Sequence, residues 1–178
     1  MLYFLIIYNG IRFGLLNLFN KNFKSSIIQR IHPSVKIDLF QNGKITLGRN
    51  LDFSRNCSII ATNNGEIIIG EKVFINQNCS ISSKSKITIG DNCNFGPNVC
   101  IFDNDHKFDS KNGVSSSEYN VGEISIGSGT WLASNVVVLR NTTIGRNCVI
   151  GAGCIIKGNI PDATMVFMDN LQIQKSII

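Results

Sequence analysis

Histidine is scarce here: the chain has only two, His32 and His106, in 178 residues. That is too few for a zinc site built on three imidazoles. Six cysteines are present, but they form no Cys-x-x-Cys pair and no Cys/His cluster, so no metal is expected on thiolates. Charged residues make up only 16% and the net charge is +5, with no basic run interleaved with aromatics. Nucleic acid is therefore not an expected partner. A basic surface of this size would suit an anionic cofactor. The longest unbroken apolar run, Leu2 to Tyr8, is too short to span a bilayer. Neither a basic leader nor a small-residue cleavage site precedes it, so no signal peptide is expected.

What is abundant is Ile, Val, Asn and Gly. That mixture suits short strands joined by tight corners, where Asn and Gly accept positive φ. At 43% hydrophobic, the chain is one globular domain with a substantial core.

Five stretches, beginning at Ile45, Ile67, Ile87, Ile124 and Thr143, share one pattern. An aliphatic residue precedes a glycine in each: Leu47, Ile69, Ile89, Ile126 and Ile144. Six residues on come Phe53, Ile75, Phe95, Leu132 and Ile150, and twelve on come Ile59, Ile81, Ile101, Val138 and Ile156. Ten on come the small residues Cys57, Cys79, Val99, Val136 and Cys154. A period of six fits neither an amphipathic helix nor one alternating strand. It fits a coil of three short strands per turn, in which each turn covers the apolar side chains of the last. The shortest interval, from Ile126 to Ile144, is 18 residues and defines one turn, giving a parallel β-helix of about five coils. Five of the six cysteines fall in small-residue slots and read as core filler of a reduced, cytoplasmic protein.

The ends depart from the repeat. Residues 1–30 carry Phe4, Ile7, Tyr8, Ile11, Leu15, Leu18 and Phe19 at helical spacing, an amphipathic helical segment. Two placements suit it: packed on the solenoid or a neighbouring subunit, or lying on the inner membrane face with Lys21, Lys24 and Arg30 near anionic lipid. The solenoid is expected over 31–162, with a closing segment at 163–178 whose residues from Thr164 to Phe167 cover the last turn. His32, beside Pro33, reads as a cap where the chain enters the coil.

The interval from Ile89 to Ile126 is 37 residues, an excursion of about 19 beyond one turn, lying within 103–123. Long loops within compact domains are usually functional. This one holds His106, flanked by Asp103, Asp105 and Asp109. An imidazole there could be fixed in one tautomer by a carboxylate or a carbonyl and act as a general base near neutral pH. The alternative is a solvated loop histidine.

Several motifs point further. Pro97-Asn98-Val99 precedes the excursion, Thr130-Trp131-Leu132-Ala133 opens the next turn, and Ile150-Gly151-Ala152-Gly153 stands in the last. In this order they resemble the hexapeptide-repeat acyltransferases, in the galactoside, maltose and polysaccharide O-acetyltransferase branch. The resemblance implies a left-handed coil, against the usual crossover rule. It implies acetyl-CoA as co-substrate, a sugar or oligosaccharide acceptor, a homotrimer with sites between subunits, and a cytoplasmic protein serving surface polysaccharide synthesis. His106 would be the general base, with Asn76, Asp105 and Trp131 at the acceptor. Trp131 would also border the acetyl end, and the backbone at Ser134 and Ala152 would hold the pantetheine arm. The chain departs from the branch at Arg140-Asn141, at Gly158 and over Met165 to Asn170, leaving Lys157, Arg146 and Arg140 as candidates for the coenzyme A phosphates. Two alternatives stay open: N-acylation of an amino sugar nucleotide, and a non-catalytic binding or scaffold solenoid.

Overall fold

The computed structural model describes residues 2–169 and 171–176. Residue 1 of the expected helical segment and residues 170, 177 and 178 of the expected closing segment lie outside the described residues.

The repeat winds into a parallel β-helix with three faces. The first face is a ladder of Phe23–Ser25, Lys44–Leu47, Glu66–Ile69, Lys86–Ile89 and Ile124–Ile126. The second is made of two-residue strands, Arg30–Ile31, Asp52–Phe53, Phe74–Ile75, Asn94–Phe95, Trp131–Leu132 and Val149–Ile150. The third contains Lys36–Leu39, Ser58–Ala61, Ser80–Ser83 and Cys100–Phe102. Towards the C-terminal end, Val137–Ile144 and Ile155–Ile160 run unbroken from the third face onto the first.

Alternation drives the coil. In each four-residue strand the second and fourth side chains point inward, so Ile45 and Leu47 stack on Ile67 and Ile69, and those on Ile87 and Ile89. All six are buried, and each contributes about 1.5–3 kcal/mol relative to exposure. The corners need left-handed backbone, which asparagine tolerates far better than a branched residue. The corner between the second and third faces accordingly repeats Asn56, Asn78, Asn98 and Asn135, at φ of 58°, 60°, 61° and 61°, and then Gly153 at 77°.

The structure has about six turns where the repeat indicated about five. The additional turn comprises Phe23–Ser25, Arg30–Ile31 and Lys36–Leu39. It has Ser25-Ser26 in place of the aliphatic-glycine pair, which hides it from the pattern.

Cys57, Cys79, Cys93, Cys148 and Cys154 are buried, and Cys100 is half-buried. The thiols of Cys57, Cys79, Cys93 and Cys148 donate to carbonyls of the next turn, as from Cys57 to Asn76 at 3.0 Å. Burial pushes the Cys93 thiol up to about 11, and Cys79 is raised by its hydrogen bond with Cys57 and by burial. Cys57 is the exception, lowered to about 7 by its hydrogen bond with Cys79, so protection rests on burial: the five buried thiols should be out of reach of alkylation in the native protein and react only on unfolding. Mass spectrometry after a timed pulse of iodoacetamide reads this; rapid labelling of Cys79 or Cys154 in folded protein would contradict the register.

Ahead of the coil, the helix Leu2–Phe19 packs against the strands Phe23–Ser25 and Arg30–Ile31. It thus packs on the solenoid, the first of the two placements expected, but it turns Asn9, Arg12 and Phe13 to the coil and not its apolar stripe. Phe13 is its fully buried apolar residue, with a ring centroid 5.8 Å from that of Phe23. The stripe of Phe4, Ile7, Ile11, Leu15 and Leu18 faces outward. Period alone marks an apolar stripe without saying which partner covers it, and the polar groups on the opposite side are those the coil end needs. No helix among the described residues is long and apolar enough to cross a membrane.

At the other end, Thr164–Asp169 extends the second face over Val149–Ile150, and Leu171–Ser176 returns antiparallel to it. The excursion is a hairpin of Asn104–Asp109 and Gly113–Val121, rising from the corner between the third and first faces.

Candidate functional site

The root of the hairpin is a buried acid. Asp103 lies fourteen residues after Ile89, in the inward slot that Ala61 and Ser83 fill in the preceding turns. A carboxylate there must find partners or carry a large desolvation cost. It finds four. One oxygen accepts from Lys84 N at 2.8 Å and Asn104 Nδ2 at 3.1 Å; the other accepts from Ser83 Oγ at 2.6 Å and Ser85 N at 2.9 Å. The Asp103 carbonyl also takes Gly122 N at 2.9 Å, closing the stem. The next residue but one, Asp105, pairs with Arg140 of the following turn at 2.5 Å. The hairpin is thus tied to the turns on both sides of it.

His106 stands exposed on this base, opposite Tyr119. Beyond that pair the register breaks, and residues 115–118 bow out between the pairs His106/Tyr119 and Phe108/Val114. Such bulges re-aim side chains. Here the bow brings the Ser115 carbonyl to 2.9 Å from His106 Nδ1. A carbonyl oxygen can only accept, so Nδ1 carries the proton and Nε2 of the neutral ring presents its lone pair. The imidazole leans on Tyr119, with centroids 4.5 Å apart at 44°. Lys84 Nζ lies 4.0 Å from the centroid of Tyr119, an attraction of the cation–π kind. Asp109 caps the hairpin turn by accepting from Asn112 N and Lys111 N, which hold its carboxyl below the usual range. The ring is therefore fixed by a carbonyl, and the three flanking acids serve the hairpin scaffold: Asp103 its root, Asp105 its tie to Arg140, Asp109 its turn.

The remaining candidates fall at other places on the coil. Asn76, Ser134 and Ala152 lie along the corner between the second and third faces, and Trp131 is half-exposed on the second face just before it. Asn76 Oδ1 accepts from the amide of Gln77 at 2.8 Å. The backbone N–H groups of Ser134 and Ala152 donate to nothing among the described residues, although the flanking amides of Ala133, Asn135, Gly151 and Gly153 are all paired. This leaves two free donors one turn apart, about 4.8 Å. Gly96 must be a glycine beside them, since a Cβ there would stand 2.7 Å from Ser134 N. Arg146 is exposed at the corner between the first and second faces, and Lys157 is exposed near the hairpin corner. Hence His106, Asp105, Arg140 and Lys157 share one corner, while Asn76, Ser134 and Ala152 share another. The third face separates them, about 13 Å of four-residue strand. His32 bonds locally with Ser34, its Nδ1 2.8 Å from Ser34 Oγ.

Sequence reasoning did not find Tyr119, Lys84 or the Ser115 carbonyl. Nothing in the repeat marks them, because the first and third depend on the hairpin register and Lys84 sits a turn earlier. The role of Asp103 did carry a signal, an acid in an inward slot. Among the described residues no cluster of three or more His, Cys, Asp and Glu is placed to hold a metal ion.

The family model described as bacterial transferase hexapeptide, of six repeats, matches residues 123–158. No curated protein matches the chain significantly. Solved structures do. The N-acyltransferase AntD of Bacillus cereus, determined with dTDP-4-amino-4,6-dideoxyglucose and coenzyme A, superposes with a TM-score of 0.75 at 14% identity, over 92% of this chain and 87% of its own. GDP-perosamine N-acetyl transferase of Caulobacter crescentus, with coenzyme A and GDP-perosamine, gives 0.60 at 19% identity, over 94% and 65%. The polySia-specific acetyltransferase NeuO gives 0.58 at 21%, over 88% and 70%. The fold is the left-handed parallel β-helix of such transferases.

Proposed function

We propose that the protein is an acyl-CoA-dependent sugar acyltransferase, and specifically an acetyl-CoA-dependent O-acetyltransferase with His106 as general base. The observation that carries this reading is the fixed tautomer of His106: a protruding, exposed imidazole whose Nδ1 is committed to the Ser115 carbonyl and whose Nε2 is free. Acetyl-CoA would supply the acetyl group as a thioester. His106 Nε2 takes the proton of a sugar hydroxyl as that oxygen bonds to the thioester carbonyl carbon, and returns it to the sulfur as the carbon–sulfur bond breaks. No covalent enzyme intermediate is needed. The two free amides at Ser134 and Ala152, beside small residues, suit the amide-bearing pantetheine arm. Trp131, half-exposed on the same turn as Ser134, would border its acetyl end. Lys157 and Arg146 are the cations proposed for the nucleotide phosphates, and Asn76 the acceptor contact. A surface polysaccharide is the proposed destination of the sugar.

One chain leaves these groups on two corners, so the proposal includes a homotrimer in which the hairpin of one protomer faces the Ser134–Ala152 corner of the next. His106→Ala and Ala152→Trp should then each abolish activity alone. Unfolded together in equal amounts and refolded, they should recover about a quarter of the wild-type sites, since each cleft draws one residue from each of two chains. A dead mixture despite demonstrated subunit exchange would place both residues on one chain, and an active monomer by light scattering would remove the trimer.

The rival is N-acylation of an amino sugar nucleotide, favoured by the higher TM-score with the B. cereus N-acyltransferase. Assaying coenzyme A thiol release with hydroxyl-only and amino-sugar acceptors, and weighing products for the gain of one acetyl group, separates the two. Turnover confined to amino sugars would replace the O-acetyl reading; no turnover with either class would remove the transferase reading.

A further inference from the structure

The helix at the N-terminal end of the coil is amphipathic in the reverse of the usual sense. Its three polar side chains are spent on the protein. Asn9 Nδ2, fully buried, donates to the Ile31 carbonyl at 2.8 Å, and Arg12 Nη2 donates to the Val35 carbonyl at 2.8 Å. Asn17 brackets the backbone of Ser25, donating to its carbonyl at 2.8 Å and accepting from its N–H at 2.9 Å. The apolar side chains, recurring every three or four positions, point away: Phe4, Ile7, Ile11, Leu15 and Leu18 are 52–75% exposed. Ile27 and Ile28, each 56% exposed, continue the surface, the Ile27 carbonyl lying close to Gly10. The cap of a solenoid ordinarily turns a polar face to water, and a contiguous apolar patch of this kind marks an interaction surface.

Charge identifies the occupant. Residues 1–37 contain Arg12, Lys21, Lys24, Arg30 and Lys36 and no Asp or Glu. The remaining 141 residues hold 12 basic and 12 acidic side chains. Within the segment Arg30 pairs with Asp52 at 3.2 Å, Lys36 with Asp38 at 2.9 Å, and Arg12 is committed to the Val35 carbonyl, so Lys21 and Lys24 are the cations left for an outside partner. Just after the helix, Lys21 and Lys24 border a depression on the first face together with Lys44; its one acid, Glu66, is paired with Lys86 at 3.6 Å. A second copy packed end to end would set two such cationic ends against each other. An anionic layer that is apolar beneath its charges satisfies both features at once.

We propose that this end of the molecule docks on an anionic lipid surface. The helix lies in the plane of the headgroups, its outer side chains enter the acyl boundary, and Lys21 and Lys24 meet the lipid phosphates. The inference stands whether or not the chain is a transferase, because its readout is binding and not turnover.

The test is co-sedimentation of the full chain with vesicles of phosphatidylcholine alone and with about a third phosphatidylglycerol. Binding should be at least about tenfold stronger to the anionic vesicles and should weaken with added salt. The pair Ile11→Asp and Leu15→Asp should abolish it, and the pair Lys21→Glu and Lys24→Glu should weaken it about tenfold. All four positions are exposed, so thermal unfolding should match the wild type and confirm that the variants are folded. Folded wild-type protein that ignores anionic vesicles, or variants that bind as it does, would overturn the proposal. So would a concentration-dependent rise in mass, reversed by Ile11→Asp with no vesicle binding, which would assign the face to a second copy.

Discussion

Replacing His106 with alanine should lower turnover by about two to four orders of magnitude while leaving acetyl-CoA affinity nearly unchanged. The size follows from the chemistry: the neutral hydroxyl is a poor nucleophile until its proton is taken, and His106 is the exposed imidazole on the hairpin, with Nε2 uncommitted. The affinity should hold because the proposed arm site lies at another corner of the coil. Tyr119→Ala keeps the imidazole but removes the ring against which it leans, and a smaller loss of kcat with little change in KM is expected from a positioning residue. Single-turnover kinetics with a working acceptor read both variants. Wild-type turnover in His106→Ala would end the general-base assignment.

Asp103→Ala should destabilise the protein by about 3–5 kcal/mol, a large share of the stability of an ordinary domain. The residue is fully buried, and its loss strands the amides of Lys84 and Ser85 and leaves the Ser83 hydroxyl only the Glu66 carbonyl at 3.2 Å. Asp103→Asn keeps the shape but turns an NH2 group toward N–H donors, so it should fall between alanine and wild type. Because this carboxylate roots the hairpin, both changes should also lower activity at temperatures where the coil is still folded. Denaturant midpoints, with circular dichroism reporting the coil, measure the effect. A shift below about 0.5 kcal/mol for Asp103→Ala, the range of ordinary surface changes, would show that the hairpin is rooted elsewhere.

The face of the N-terminal helix and the setting of His106 mark where sequence reading stopped. Inward positions in a β-helix must be apolar or small in every turn, and corners must accept left-handed backbone. Both demands recur at fixed spacing, so Ile45, Leu47 and their successors, with Asn56, Asn78, Asn98 and Asn135, determine the coil, the length of its turns and the place of its excursion. The first turn was illegible because Ser25-Ser26 satisfies the same ladder without the marker residues. The helix stripe was legible as a stripe, but which side met the coil depended on unpaired carbonyls at Ile31, Val35 and Ser25 that Asn9, Arg12 and Asn17 satisfy.

His106 itself was legible, as the histidine in the one long excursion. Its tautomer was not: Ser115 meets it only because the hairpin register breaks after Tyr119, and a break of that kind belongs to two strands together. The repeat, the core and the residue that could carry the chemistry were all legible in the chain, since each depends on short-range spacing. Which partner fixes the imidazole, and that His106 and the Ser134–Ala152 corner stand apart on one chain, follow from contacts between turns that no spacing encodes.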